Sequence, residues 1–431
     1  MTVTGAPRHV LVVHNRYRTE QPSGEDRVVD QETALLRRAG HRVTMFERHS
    51  DDIAAMSVPA KVAVPLRVPY SRAARTALEQ VLRRERPDVV HIHSTFPLIS
   101  PSVVDACTAT GTPVVATLHN YSLLCPVGSF YRDGKVCTDC AGGLPLPAVR
   151  HGCYRGSRLA SIPVAAGTAF NRRRLLEGVD RFFCISGAQR DTLVELGVPG
   201  ERLAVKHNFV EEPAARRDGA GAHVLFVGRL TGEKGVGTLV QAWDLVPAAV
   251  RERFPLVVAG SGPMQADVER WAAGRSDVRV LGLQSAQRCA ELTAQAVTVV
   301  APSVWKEAFG LVVVEALAAG VPPVASATGA FTELVDEDVT GLLHTPADPA
   351  DLARRITGIV EPARNAEMGR AARRRYERDF SPTAGLAALL AGYDSATGAR
   401  AVGDGVPDVS PPAPRATGPG PRRRRRAGRV A

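Results

Sequence analysis

The stretch His223-Val-Leu-Phe-Val-Gly228-Arg229-Leu-Thr-Gly232-Glu-Lys234-Gly235 runs from five mostly apolar residues into a loop punctuated by three glycines. A short apolar run closed by glycine fits a strand buried on both faces, and the loop leads into a helical pattern over residues 235–245. Further apolar runs at 256–259, 278–281, 297–301 and 323–325 alternate with amphipathic segments, the rhythm of a parallel sheet wound with helices. The scheme has already run once by this point. His9-Val-Leu-Val-Val13 leads through a polar loop to Gly24, a helical pattern over 25–39 and strands at 43–46, 89–92, 114–118 and 182–185. The repetition predicts an α/β chain of two tandem doubly wound Rossmann-like domains facing across a cleft. The expected boundaries are 1–207, a linker at 208–221, a second domain at 222–383, a helix at 384–394 returning toward the first domain, and a tail at 395–431. In such sheets ligands bind beyond the carboxyl ends of the strands, which puts them in the cleft.

Composition agrees with a globular chain: 431 residues, 45% hydrophobic and 5% aromatic. Its longest apolar stretches reach about ten residues, half of the roughly 20 that span a bilayer. The first residues lack a charged region followed by an apolar one, so the expected location is cytoplasmic. The net charge of +10 is unevenly spread: Ser395 to Ala431 holds eight Arg against two Asp, or +6 of the total. That Pro- and Gly-rich tail is expected to be disordered and solvated rather than a nucleic-acid arm, so no nucleic acid is expected as a partner. Surplus arginine at Arg83, Arg84, Arg86 and Arg172 to Arg174 allows peripheral contact with an anionic membrane at its inner face, although exposed solubilising charge explains those residues equally well.

The chemistry concentrates in Pro302-Ser-Val-Trp-Lys-Glu307-Ala-Phe-Gly310-Leu-Val-Val-Val-Glu315-Ala-Leu-Ala-Ala-Gly320. It follows a strand and opens a helix, so the backbone at Phe309, Gly310, Leu311 and Val312 offers free N–H groups at the positive end of a helix dipole, which suits a phosphate. Glu307 precedes that end and Glu315 lies about five residues into the helix, roughly 7–8 Å along its axis. Two carboxylates beside a phosphate repel it, so they suit hydroxyl groups on either side of a diphosphate, one set on a sugar ring and one on a ribose. Arg229 and Lys234 on the glycine-rich loop can neutralise a diphosphate leaving group without a metal ion.

These elements resemble the GT-B retaining glycosyltransferases of family four: the Glu-x7-Glu segment with its Phe-Gly-Leu centre, the Gly-Arg-Leu…Glu-Lys-Gly loop, and Ala259-Gly-Ser-Gly262-Pro. The resemblance covers about residues 9–393. It implies that Arg229 and Lys234 hold the donor diphosphate, that Glu307 contacts donor-sugar hydroxyls, that the backbone at Phe309 to Val312 touches sugar and phosphate, and that Glu315 binds ribose. It also implies a close approach of Gly24 to the donor phosphates, with a single glycine where the family often has a pair. His119, at the carboxyl end of its strand, is the candidate for stabilising the reacting centre through its imidazole or an adjacent carbonyl. No catalytic metal is implied. His91 and His93 alternate along a strand and share a side; no third metal ligand lies near them in sequence, which favours packing or an acceptor-facing role for His93. Asn208, in Lys206-His-Asn208, resembles a structural position ahead of the linker.

Cys125, Cys137, Cys140 and Cys153 group within a Gly- and Pro-rich insertion over residues 125–153. A tetrathiolate zinc clamp is one reading of this spacing, and free thiols or a reversible disulfide are the others. The expected activity is transfer of a sugar from a nucleotide-diphosphate donor, UDP- or GDP-linked, to a hydroxyl of a glycan or lipid-linked acceptor with retention. Two rivals are a sugar-nucleotide epimerase on the same fold and a non-enzymatic nucleotide or nucleic-acid binding module.

Overall fold

The computed structural model describes residues 6–19 and 23–403. Its first sheet contains β1 (His9–Arg16), β2 (Arg42–His49), β3 (Val89–Ile92) and β4 (Val114–Leu118). A small hairpin of β5 (Tyr131–Arg132) and β6 (Lys135–Val136) intervenes before β7 (Arg181–Cys184) and β8 (Leu203–Val205) complete it. The second sheet contains β9 (His223–Val227), β10 (Leu256–Ala259), β11 (Val278–Gly282), β12 (Ala296–Ala301), β13 (Pro323–Ser326) and β14 (Leu342–His344). Both sheets are parallel, in the orders β2-β1-β3-β4-β7-β8 and β11-β10-β9-β12-β13-β14. The strand order reverses beside β1 in the first and beside β9 in the second, and it is at such switch points that ligands bind in sheets of this kind. Val10 to Val13 and Val224 to Phe226 are almost wholly buried, as strands covered on both faces require.

The linker is tied to the end of the second unit: Val210 N donates to the Phe380 carbonyl at 3.1 Å, and Tyr376 Oη donates to the Val210 carbonyl at 2.9 Å. The last helix, Pro382–Gly403, packs on the first unit, where Leu389, Tyr393 and Ala396 join Val10, Val12 and Phe183 in one apolar cluster. This helix runs nine residues past the expected end at 394. Alanines at 396, 399 and 401 favour helix, and Ala396 is fully buried, so packing overrides the glycine and polar content that suggested a tail. The five-arginine run lies outside the described residues. Among the described residues no helix is long and apolar enough to cross a membrane.

Candidate functional site

Beyond β12 the chain turns through Glu307 and Gly310 into the helix Leu311–Ala319. Gly310 has φ 102°, and a Cβ there would lie 2.2 Å from the Phe331 ring, so only glycine makes this turn. The helix has no side-chain cap and no acidic residue in its first turn, leaving its positive end uncompensated. Glu307 is 6% exposed. Its Oε2 accepts from Lys234 Nζ at 2.7 Å, Trp305 Nε1 at 3.0 Å and Ser303 Oγ at 3.2 Å. Lys234 also sits 5.2 Å above the Trp305 ring. The expectation kept Lys234 for the diphosphate; the structure gives it a second duty, charge partner of Glu307. An ammonium has three donors, so one on Glu307 leaves two for phosphate oxygens. Arg229 reaches Glu233 at 3.2 Å and is otherwise exposed.

Two further expected residues meet across the cleft. A Cβ on Gly24 would lie 3.3 Å from Leu311 Cδ1, so the start of the helix Gly24–Arg38 abuts the start of Leu311–Ala319. Glu315 is ion-paired with Arg27 of that N-terminal helix. Arg27 had no signal in the sequence, because its partner lies in the other domain. Behind these contacts, Ser186 Oγ donates to the Ala308 carbonyl at 2.7 Å. Glu333 Oε2 accepts from Gly187 N at 2.7 Å, while Glu333 Oε1 is 2.6 Å from His207 Nε2. A carboxylate of one domain thus covers the start of a helix in the other, and the His207 contact helps hold its pKa below the ordinary value against the opposing effect of burial. Phe309 is buried against His207 and Phe380, with ring centroids 6.1 and 6.2 Å away, so only its backbone remains for a ligand.

His119 is tied inward: its Nε2 lies 2.9 Å from His93 Nδ1, and the rings stack at 5.2 Å. Burial, helped by the nearby charges of Lys206 and His14, lowers its pKa to about 3, so the ring is neutral at pH 7. It can exchange hydrogen bonds there but cannot act as an imidazolium. His91 and His93 do share a side, with ring centroids 4.1 Å apart. The third metal-ligating group that sequence proximity did not offer exists in space: Glu32 joins them, all three ligand atoms lying within 4.8 Å of one another. These groups are already engaged. Lys206 pairs with Glu32, while the His91 nitrogens lie 2.9 Å from Tyr393 Oη and 2.8 Å from Thr117 Oγ1. The cluster is a buried polar brace beneath His119, joined to the last helix through Tyr393.

Sequence reasoning also passed over Glu25. Its Oε1 accepts from Asn120 Nδ2 at 2.8 Å, and burial raises its carboxyl pKa. Its place right after Ser23-Gly24 and that of Asn120 right after His119 were the available signals.

The four cysteines of the insertion are free thiols. Burial raises the Cys140 pKa to about 11, and Cys140 and Cys153 share a small apolar cluster with Ala148 and Ala165. Among the described residues Glu32, His91 and His93 form the one set of three metal-ligating groups within 4.8 Å of one another, so the four sulfurs do not converge on one point.

The Glycosyltransferase Family 4 model matches residues 22–212, and the Glycosyl transferases group 1 model matches residues 211–375. This chain belongs to the family 4 glycosyltransferases. Among relatives of this family 4 chain, glycogen synthase of Mycobacterium tuberculosis is 30% identical over 311 residues, covering 69% of this chain and 66% of the relative. D-inositol 3-phosphate glycosyltransferase of Pseudarthrobacter chlorophenolicus is 28% identical over 361 residues, 77% of each chain. Anabaena HepE, solved in complex with UDP-glucose, superposes with TM-score 0.61 at 16% identity, over 89% of this chain and 99% of that one. Sucrose-phosphate synthase of Thermosynechococcus elongatus gives 0.64 at 19%, over 89% and 97%. These likenesses place the family 4 chain in the GT-B fold.

Proposed function

We propose that this chain transfers a sugar from a nucleoside-diphosphate donor to a hydroxyl of a glycan or lipid-linked saccharide, with retention at the anomeric carbon. The observation that carries the reading is the Lys234–Glu307 pair at 2.7 Å beside the uncapped helix start at Leu311. A cation, a buried carboxylate and free backbone N–H groups there suit a diphosphate joined to a polyhydroxyl ring. Catalysis is then mainly positioning and stabilisation of the leaving diphosphate by Arg229, Lys234 and the helix end. Neutral His119 and the backbone near Gly24 close over the reacting centre, and Glu315 takes the ribose. UDP- and GDP-sugars are the proposed donors, used in the cytoplasm.

Calorimetric titration with UDP, GDP and ADP in the presence of EDTA tests the donor site. One nucleotide is expected to bind, and Glu315→Ala to weaken it at least about tenfold. Because Arg27 competes with ribose for Glu315, Arg27→Ala should bind no more weakly than wild type. Folded protein that binds no nucleotide would overturn the reading.

The insertion is proposed to take a structural zinc ion, which prefers four thiolates and would draw the four sulfurs around itself. About one zinc per chain is expected under reducing conditions, with loss in Cys137→Ser; metal-free wild type, or a variant that keeps its zinc, would sink the idea.

A further inference from the structure

The helix Arg158–Gly178 carries apolar residues on its outer side as well as its inner one. It buries Ser161, Val164, Ala165, Gly167 and Asn171 against the protein, and exposes Leu159, Ile162 and Phe170 at 79%, 49% and 69%. At about 100° per residue those three fall within an arc of roughly 80°, opposite the buried side. Nor is the arrangement free to rotate. Asn171 Nδ2 donates to the Pro69 carbonyl at 2.9 Å and to the Gly167 carbonyl at 2.8 Å, and a Cβ on Gly167 would lie 3.2 Å from Val68 Cγ1. These contacts dock the helix onto the chain just beyond a second helix, Val58–Arg67, which carries an outer apolar stripe of its own. Its Val64 is buried, while Val58, Val62 and Leu66, at i, i+4 and i+8, are 72%, 68% and 79% exposed. Two neighbouring helices therefore each carry a stripe of large apolar side chains on the outer side, where an ordinary surface helix is polar.

Charge selects what covers this face. The segments 53–78 and 140–176 contain no acidic residue, and the one carboxylate within the two helices, Glu177 in the last turn of the second, is paired with Arg173. Both carry exposed cations: Lys61, Arg67 and Arg72 on the first, Arg150, Arg155 and Arg158 on the second. Apolar stripes bordered mainly by cations match the boundary of an anionic bilayer, where the stripe enters the acyl edge and the cations meet phosphate headgroups. A second copy of this chain would set these cations against their own kind.

We propose that the helices Val58–Arg67 and Arg158–Gly178 form a monotopic docking surface for an anionic lipid bilayer. The second helix follows the cysteine insertion on the acceptor-side domain, so docking brings that domain to the lipid surface. This inference is independent of the donor-site reading.

The test uses the full chain, with its basic tail, in co-sedimentation with vesicles of phosphatidylcholine alone or with about a quarter phosphatidylglycerol, near 0.1 M salt. Wild type is expected to bind the anionic vesicles. Val62→Asp/Phe170→Asp should bind at least about tenfold more weakly, because two carboxylates then face the headgroups and two apolar anchors are lost. Both positions are exposed, so the variant should keep its unfolding temperature and its nucleotide affinity, measured on the same preparations; nucleotide binding also separates failure here from failure of the donor site. Unchanged vesicle binding by the variant would assign attraction to the tail and overturn the proposal. So would absence of binding by wild type, or a wild-type dimer that the substitutions dissociate.

Discussion

Glu307→Gln is expected to lower kcat/KM by at least about 10²-fold with little change in unfolding temperature, since the amide keeps the shape and loses the charge that Lys234, Trp305 and Ser303 converge upon. The partner substitution behaves differently. Lys234→Met leaves the Glu307 carboxylate, 6% exposed, without a cation, and should cost more stability than Glu307→Gln as well as activity. If the pair acts on the donor as a unit, Glu307→Gln/Lys234→Met falls no further in kcat/KM than the worse single variant. Steady-state transfer and thermal unfolding, measured on the three proteins, decide the matter. Glu307→Gln activity within tenfold of wild type would remove Glu307 from the donor site.

Lys206→Met is expected to destabilise the fold by about 3–5 kcal/mol, a large share of an ordinary domain's margin. Lys206 and Glu32 are each 2% exposed and paired, and Glu32 Oε2 has no hydrogen-bond partner, so removing the ammonium strands a buried carboxylate. The companion Glu32→Gln/Lys206→Met removes both charges and should recover at least half of the loss. Urea midpoints of the three proteins measure this directly. A Lys206→Met midpoint within the equivalent of about 1 kcal/mol of wild type would show that water or relaxation already compensates Glu32.

The two-domain architecture was legible because strands buried on both faces have few alternatives in sequence: β3 at 89–92, β4 at 114–118 and β10 at 256–259 fall where their apolar runs placed them. The edge strands β8 and β14 were not expected; each has three residues, too short for periodicity to mark. Within the site, Lys234, Glu307 and Gly310 could be read because the strand-to-loop pattern puts them at one end of one sheet. Arg27 opposite Glu315 and Lys206 against Glu32 could not, since such pairs arise only when distant segments pack, and each residue alone resembles ordinary surface charge. The outward apolar stripe of the helix Arg158–Gly178 was not legible for a related reason: its apolar residues have helical spacing, and spacing does not say which side faces the protein.

The near approach of Gly24 to the Leu311 side chain brings two helix starts close together, each carrying about half a positive charge. Ser23, Glu25 and Asp26 temper the first, and the second has no such relief. Bringing the domains together therefore costs electrostatic work unless an anion is laid between the two ends. In the proposed donor site, a diphosphate in that position would be the counterion of the two helix ends as well as part of a substrate. A nucleoside that fits the same cleft but carries no phosphate leaves the two ends opposed, however well its base and ribose are held.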